Sequence, residues 1–281
     1  MLEIIVENAH KQQLNLTYNK NYFAKITGLT PGGATINTTK VAMHDGAKFN
    51  SSTLNARNLV LTIYPRQNVE HSRINVYQYI QLKKYIKVYL KNDTRNVWIE
   101  GYVESFEGDL YEFPQVLQVS IICPNPYFKA IEPVITSFSN TVPVFTFPFA
   151  ATAEGLIISK LDTYTEKNIA NESDNQCGVI VELYASGLAL EPTVYNMTTN
   201  ESFTVEHEFQ TGDIVRINTQ SGKKSLTLIR DGMETNILNQ MEKNSQWFNL
   251  AVGDNIFTFT ALHGVEQLQM TIKLQPIYTG V

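Results

Sequence analysis

The sequence predicts an all-β chain with one principal helix, arranged as an N-terminal sandwich or barrel-like domain followed by a second β-sandwich. Three observations predict it. Apolar residues recur at every second position in several runs, turn residues separate those runs, and a single segment departs toward helical spacing. At 281 residues the chain is long for one sandwich and comfortable for two domains, each able to bury its own core.

Taken in order, Leu59-Val-Leu-Thr-Ile-Tyr64 is a strand that stops at Pro65. The helix is expected over Ser72–Leu82, where Val76, Tyr79, Ile80 and Leu82 fall near a 3.6-residue spacing with no glycine or proline inside. Ile86, Val88 and Leu90 then alternate with Lys87, Tyr89 and Lys91, which marks a half-buried strand with one wet face. In the run that ends at Cys123, Leu117, Val119, Ile121 and Cys123 share one face, and Val116, Gln118, Ser120 and Ile122 share the other. That strand meets an abrupt stop. Pro124 and Pro126 lack the donor that a ladder needs and hold their predecessors extended, Asn125 supplies turn character, and Tyr127 and Phe128 supply apolar area to pin the exit.

Composition shifts after Phe128. Lys129 to Pro148 holds three prolines with Phe138, Phe145 and Phe147, and Phe149 follows, which suggests an extended connector that also packs down. The boundary is therefore placed near 129–135, giving domains 1–130 and 131–281. Short strands with glycine-bearing turns continue to the C-terminus, where Leu268, Met270, Ile272 and Leu274 alternate with polar neighbours. Pro31-Gly-Gly33, Asp231-Gly232 and Gly253-Asp254-Asn255 are expected to be hairpin or loop turns.

Composition excludes several function classes. Apolar residues make up 43% and charged residues 17% of the chain, and the mean hydropathy is -0.16; these values suit a folded globular protein rather than a disordered one. A net charge of -5 from 22 basic and 27 acidic residues opposes general affinity for phosphate backbones. No run of about 18 apolar residues occurs, and the N-terminus has acid where a signal peptide needs base, so the chain is expected to start in the cytosol and stay soluble, with no membrane partner. Cys123 and Cys177 are too few for a disulfide framework and are expected to be separate buried thiols in preference to a single bridge. The asparagine-based sequons report only a polar surface.

Chemistry-bearing patterns are sparse. His10, His44, His71, His207 and His263 are scattered with no spacing that joins two on one metal, so neither metal nor cofactor is expected. Glu104, Glu107, Asp109 and Glu112 form the densest acidic cluster; it reads as a solvated hairpin loop in preference to a glycosidase pair. Gly222-Lys-Lys-Ser225 departs from the phosphate-loop pattern at Lys224 and Ile217 and reads as a basic hairpin turn. Trp98 and Trp247 are assigned to core packing, with a ligand platform or protein interface as the alternatives.

Two stretches carry a family resemblance. Ile99-Glu-Gly-Tyr-Val-Glu-Ser-Phe-Glu107 followed by Phe113-Pro-Gln-Val-Leu-Gln-Val-Ser-Ile-Ile-Cys-Pro-Asn-Pro-Tyr-Phe128 resembles the end of the N-terminal domain of the distal tail proteins of long non-contractile-tailed bacteriophages. Asn125 stands where that family commonly has aspartate. Gly212-Asp-Ile-Val-Arg-Ile-Asn218, Gly222-Lys-Lys-Ser-Leu-Thr-Leu228 and Ser245-Gln-Trp-Phe-Asn-Leu-Ala-Val-Gly-Asp-Asn-Ile256 resemble, in order, the segments that close the second domain.

The resemblance implies a structural virion protein and no reaction. Residues 1–130 would form a ring, typically a hexamer, between the tail tube protein and the tail-tip hub or tail-associated lysin. DNA would pass through without specific binding. Residues 131–281 would form a galectin-like sandwich that anchors receptor-binding or baseplate proteins, with assembly in the host cytoplasm. The stretch Cys123, Pro124, Asn125, Pro126, Tyr127 and Phe128 would be a structural corner between the two domains, and the segment Glu154–Asn175, polar and long, is the candidate for an outward contact. A lectin-like or adhesin protein holding glycans on its sandwich is the competing class; a phage-derived particle component would look the same.

Overall fold

In the computed structural model, residues 2–43, 45–109, 111, 113–143, 159–163 and 166–281 are described. The chain divides into two units, Met1–Ile131 with Ile277–Val281, and Glu132–Pro276. The last five residues thus belong to the first unit, whereas the sequence places them in the second domain, 131–281.

The first unit is built from β1 (Glu3–Asn8), β2 (Gln13–Asn15), β3 (Tyr22–Thr27), β4 (Ala34–Thr39), β5 (Lys48–Leu54), β6 (Arg57–Pro65), α1 (Val69–Tyr79), β7 (Tyr85–Lys91), β8 (Asn96–Asp109), β9 (Val116–Cys123) and β10 (Phe128–Ala130). Its main sheet runs β2-β1-β7-β8-β9-β6-β3, and β10 joins β8. Pairing along this path is antiparallel, so each strand keeps one face inward. Leu59, Leu61 and Ile63 from β6, Ile86, Val88 and Leu90 from β7, and Leu117, Val119 and Ile121 from β9 are all buried, as alternation required.

Two features of β8 follow from its sequence. The register to β9 shifts between Val103 and Ser105, so Glu104 is the extra residue of a bulge. Gly101 lies where a Cβ would come within 2.8 Å of the Cys123 Sγ and 2.7 Å of the Ile122 carbonyl oxygen, so a side chain there would push β8 off β9.

The helix lies three residues earlier than its apolar spacing predicted. Only Ser72 and Val76 are buried within it, and Ile80 is already extended. Ile80 and Leu82 are apolar because they line the turn into β7, and they mimicked a further helical turn.

The second unit contains β11 (Val134–Ser137), β12 (Ser139–Pro143), β13 (Ser159–Thr163), β14 (Glu166–Asn171), β15 (Val179–Ala185), β16 (Ala189–Leu190), β17 (Thr193–Asn196), β18 (Glu201–Thr204), β19 (Glu208–Phe209), β20 (Ile214–Asn218), β21 (Ser225–Arg230), β22 (Met233–Asn236), β23 (Gly253–Thr260) and β24 (Leu268–Leu274). The final strand of the chain, β25 (Ile277–Tyr278), pairs with β10 of the first unit. Two sheets, β11-β24-β15-β20-β21-β22 and β14-β23-β17-β18, supply the framework. Val181, Leu183, Val215, Ile217, Met270 and Ile272 from one and Val194, Phe203, Phe257 and Phe259 from the other are buried, as in a sandwich of two half-buried sheets.

Several local expectations are corrected. Gly253-Asp254-Asn255 opens β23 instead of forming a loop; the Asn255 amide donates to the carbonyls of Ala251 and Gly253 and fixes that entry. Asp231-Gly232 is a two-residue hairpin turn with positive φ at both positions (51° and 78°), as expected. The connector carries strand at Val134–Ser137 and buries Phe138; Phe145, Phe147 and Phe149 lie outside the described residues. Of the segment Glu154–Asn175, residues 166–171 are β14, paired with β23, and 154–158 and 164–165 lie outside the described residues.

Candidate functional site

The corner that follows β9 is organised by a residue that sequence reasoning passed over. Cys123 ends β9 fully buried, and Phe128 begins β10 fully buried. Between them Pro124 and Asn125 are exposed, while Pro126 and Tyr127 are half-buried. The Asn125 side-chain oxygen accepts from the Tyr127 N–H at 3.1 Å, a local turn that aspartate would make equally well.

Arg57, the first residue of β6, lies under this corner with 4% of its surface exposed. Its Nε donates to the Pro126 carbonyl at 2.8 Å, one terminal nitrogen donates to the carbonyls of Gly28 and Thr30, and the other donates to Thr279 at 2.6 Å. Its carbon lies 4.6 Å from the centroid of the Phe128 ring, close enough for a cation–π contact. Burial pulls the guanidinium pKa down, yet four carbonyl dipoles face the charge. Gly28 has φ +84°, and a Cβ there would strike the Asn58 carbonyl, so the loop reaches Arg57 only with glycine at that point.

The C-terminus completes the knot. Val281 N–H donates to Leu29 O at 3.1 Å, Arg95 donates to the Gly280 carbonyl, and its guanidinium lies 4.3 Å from the Tyr278 ring centroid. A cavity of about 30 Å³ is lined by Pro31, Gly33, Leu54, Asn55, Pro126 and Tyr127, among others. The corner, the base of the β4–β5 hairpin and the chain end therefore meet around one guanidinium. The signal for Arg57 was present: it falls in phase with Leu59, Leu61 and Ile63, a charge on the buried face of an apolar strand.

Cys123 contributes packing rather than reactivity. Burial pushes its thiol pKa up to about 12, against the opposing pull of Arg57, so the thiolate that would act as nucleophile is scarce at neutral pH. Cys177 is also free, buried and shifted upward.

Elsewhere the sequence candidates are dispersed. Glu104, Glu107 and Asp109 sit in the continuous strand β8, not in a loop; Glu104 accepts from the Ser120 hydroxyl at 2.9 Å. Glu112 and His44 lie outside the described residues. Among the described residues no three His, Cys, Asp or Glu side chains gather as metal ligands, and no helix is long and apolar enough to cross a membrane. His207 is half-buried with its Nε2 enclosed and unpartnered; burial first, then the Arg230 charge, lower its pKa. Gly222-Lys-Lys224 belongs to the turn between β20 and β21, and Ser225 opens β21, paired with Asn218.

The tryptophans are neither free platforms nor deep core. Trp98 is half-buried with the ammonium groups of Lys87 and Lys129 at 3.8 and 4.6 Å from its ring centroid, and Lys129 pairs with Glu100 at 2.9 Å. Trp247 packs edge-on against buried Phe203 at 5.0 Å. In the second unit Asp213, 1% exposed, takes the Arg230 guanidinium on both oxygens. That contact, more than any other, holds its pKa below the ordinary carboxylate value.

Comparison with known proteins places this geometry. Residues 172–278 match the family described as siphovirus-type tail component, C-terminal domain. Across 99% of both chains the structure is similar to the Dit protein of phage SPP1, described as a paradigm of the hub adsorption apparatus in phages that infect Gram-positive bacteria, at 11% identity and a TM-score of 0.69. It is also similar to a chain of the phage P2 baseplate in its activated, calcium-bound conformation, over 98% of each chain at 10% identity and a TM-score of 0.50. No curated protein matches. The all-β fold expected from the sequence is thus shown over the whole length, and the likeness to a tail-component family is matched over residues 172–278.

Proposed function

We propose that this chain is a structural component of a bacteriophage tail tip or baseplate, a ring that joins the tail tube to the tip hub. The observation that carries this reading is the agreement of two likenesses: a tail-component family over residues 172–278 and the Dit fold over 99% of the chain. In it the first unit forms the ring, with six copies around a lumen through which DNA passes. The net charge of -5 suits a passage that must not grip phosphate. The tube protein lies on one side and the hub or tail lysin on the other, and the second unit holds receptor-binding or baseplate proteins. The corner from Cys123 to Phe128 leads into β10, after which the chain passes to the second unit, and its proposed role is to seat that exit strand. The work done is mechanical, with no reaction assigned.

Light scattering and negative-stain electron microscopy of the purified full chain test the reading. Closed rings of six copies are expected. A chain that stays monomeric at every concentration and binds glycans on an array would overturn it in favour of a lectin-like module.

A further inference from the structure

The charge of Arg57 is solvated without being cancelled. Its bonds go to the backbone carbonyls of Gly28, Thr30, Pro126 and Thr279, and carbonyl dipoles stabilise a buried cation without supplying the opposite charge. Among the described residues no carboxylate pairs with it. The ionisable side chain that acts on it most is Cys123, and burial pushes that thiol up to about 12, so it is neutral at pH 7 and gives no counter-charge. Nε makes one of the bonds, one terminal nitrogen makes two, and the other makes a single bond to Thr279. A guanidinium has one more N–H than these use.

The cavity of about 30 Å³ that Arg57 helps to line is rich in donors. Gly32 and Gly33, on its wall just before β4, have backbone N–H groups with no acceptor among the described residues. The Asn55 side chain, just after β5, uses its oxygen to accept from the Thr35 hydroxyl at 2.7 Å, and its amide nitrogen donates to no described residue. Acceptors on the same wall are already engaged: the Gly33 carbonyl takes the Asn55 N–H, and the Pro126 and Thr279 carbonyls take Arg57. No acidic side chain lines the space. It has room for a water-sized particle and little more. Water must donate as well as accept, whereas a monatomic anion only accepts, and that suits a wall of donors beside a charge with no opposite partner.

We propose that this cavity binds a small monatomic anion, chloride in solution, through the Arg57 guanidinium, the Asn55 side-chain amide and the N–H groups of Gly32 and Gly33. The bound ion cancels the buried charge and ties the entry of β4 to the exit of β5. It thereby stiffens the mount of a hairpin whose strands are exposed at every position. Selection is by size, since a polyatomic anion such as phosphate exceeds the space. The site is independent of whether the chain forms a ring.

Full-length variants test it. Trp247→Phe leaves Trp98 as the sole tryptophan and the reporter of the first unit, and Trp98→Phe leaves Trp247 as the reporter of the second. At constant ionic strength, chloride replacing the bulky anion gluconate should raise the first-unit melting temperature along a saturating curve, by about 4 °C once chloride exceeds its dissociation constant about tenfold. The second unit should show no saturating response. Asn55→Asp sets a fixed carboxylate in the place of the ion and keeps an acceptor for Thr35, so it should raise the first-unit melting temperature in gluconate and abolish the chloride response. Crystals soaked in bromide should show an anomalous peak between Arg57 and Asn55. A first-unit response that matches the second unit's, or one that survives Asn55→Asp, overturns the site. Bromide in the cavity without any saturating chloride response marks an adventitious ion only and overturns it equally.

Discussion

Arg57 bears a charge that 4% exposure takes almost wholly out of water, and it is tolerated because four backbone carbonyls stand in for hydration. Charge-assisted bonds of this kind contribute more than neutral ones, and each carbonyl left without its donor adds a desolvation cost of about 1–3 kcal/mol. Arg57→Met, of similar length, is expected to destabilise the first unit by about 3 kcal/mol or more, read as a lower denaturant midpoint. Arg57→Lys should recover only part, because one ammonium cannot reach four carbonyls that the planar fork reaches from three nitrogens. Equal stability of the methionine variant would mean that the carbonyls find other partners. Asp213 makes the matching case in the second unit. Its folded pKa lies below the ordinary value through the Arg230 contact, so the stability it contributes is present above about pH 4, the unfolded value, and is lost as pH falls through the folded pKa. Asp213→Asn should therefore be less stable than the wild type at pH 7. The gap between the two melting temperatures should shrink steadily below pH 4, and a gap independent of pH would rule out the ionised pair as its source.

At the scale of elements, the corner and the hairpin show why one was legible and the other was not. The strand ending at Cys123 has a single inside, so alternation fixed its face, and two prolines fixed its end. The structure adds that Phe128 is a core residue of the first unit, beneath Arg57, and that Tyr127 is only half-buried. The two aromatics should thus separate under mutation. Phe128→Ala is expected to cost about 3–5 kcal/mol of first-unit stability, and Tyr127→Ala far less. Comparable losses in chemical denaturation would place Tyr127 in the core as well. The β4–β5 hairpin left no such trace, since a ribbon wet on both faces has no period-2 burial to imprint, and its Thr, Asn and Ser signal only a polar surface. The helix was found but displaced by three residues, because Ile80 and Leu82 line a turn and carry the same apolar signal as a helical face. Arg57 is hidden for the opposite reason: a charge in phase with Leu59, Leu61 and Ile63 interrupts the apolar alternation that marks a buried strand face.

The whole molecule is one domain interrupted by another. The chain leaves the first unit after β10 and returns at β25, and these two strands pair, Phe128 with Tyr278 and Lys129 with Ile277. The second unit likewise brings its own ends together, since Val134 pairs with Leu274. Sequence order hid this, because β25 is two residues long and sits next to the strands of the other unit; only long-range pairing reveals that the chain comes back. Insertions whose ends are adjacent are the kind a host domain accommodates without strain. Replacing Glu132–Pro276 by a glycine-serine linker of about four residues, the length of an ordinary hairpin loop, should leave a first unit that unfolds cooperatively, with the Arg57 bonds to Thr279 and Pro126 intact. The excised unit should fold by itself, and its melting should retain the Asp213 pH response. On the proposed assembly the shortened chain still forms rings by light scattering, and the isolated second unit remains a monomer. A shortened chain that folds but stays monomeric would move the ring contact to the second unit. One that fails to fold would show that β10 and β25 need the inserted unit to hold them in register.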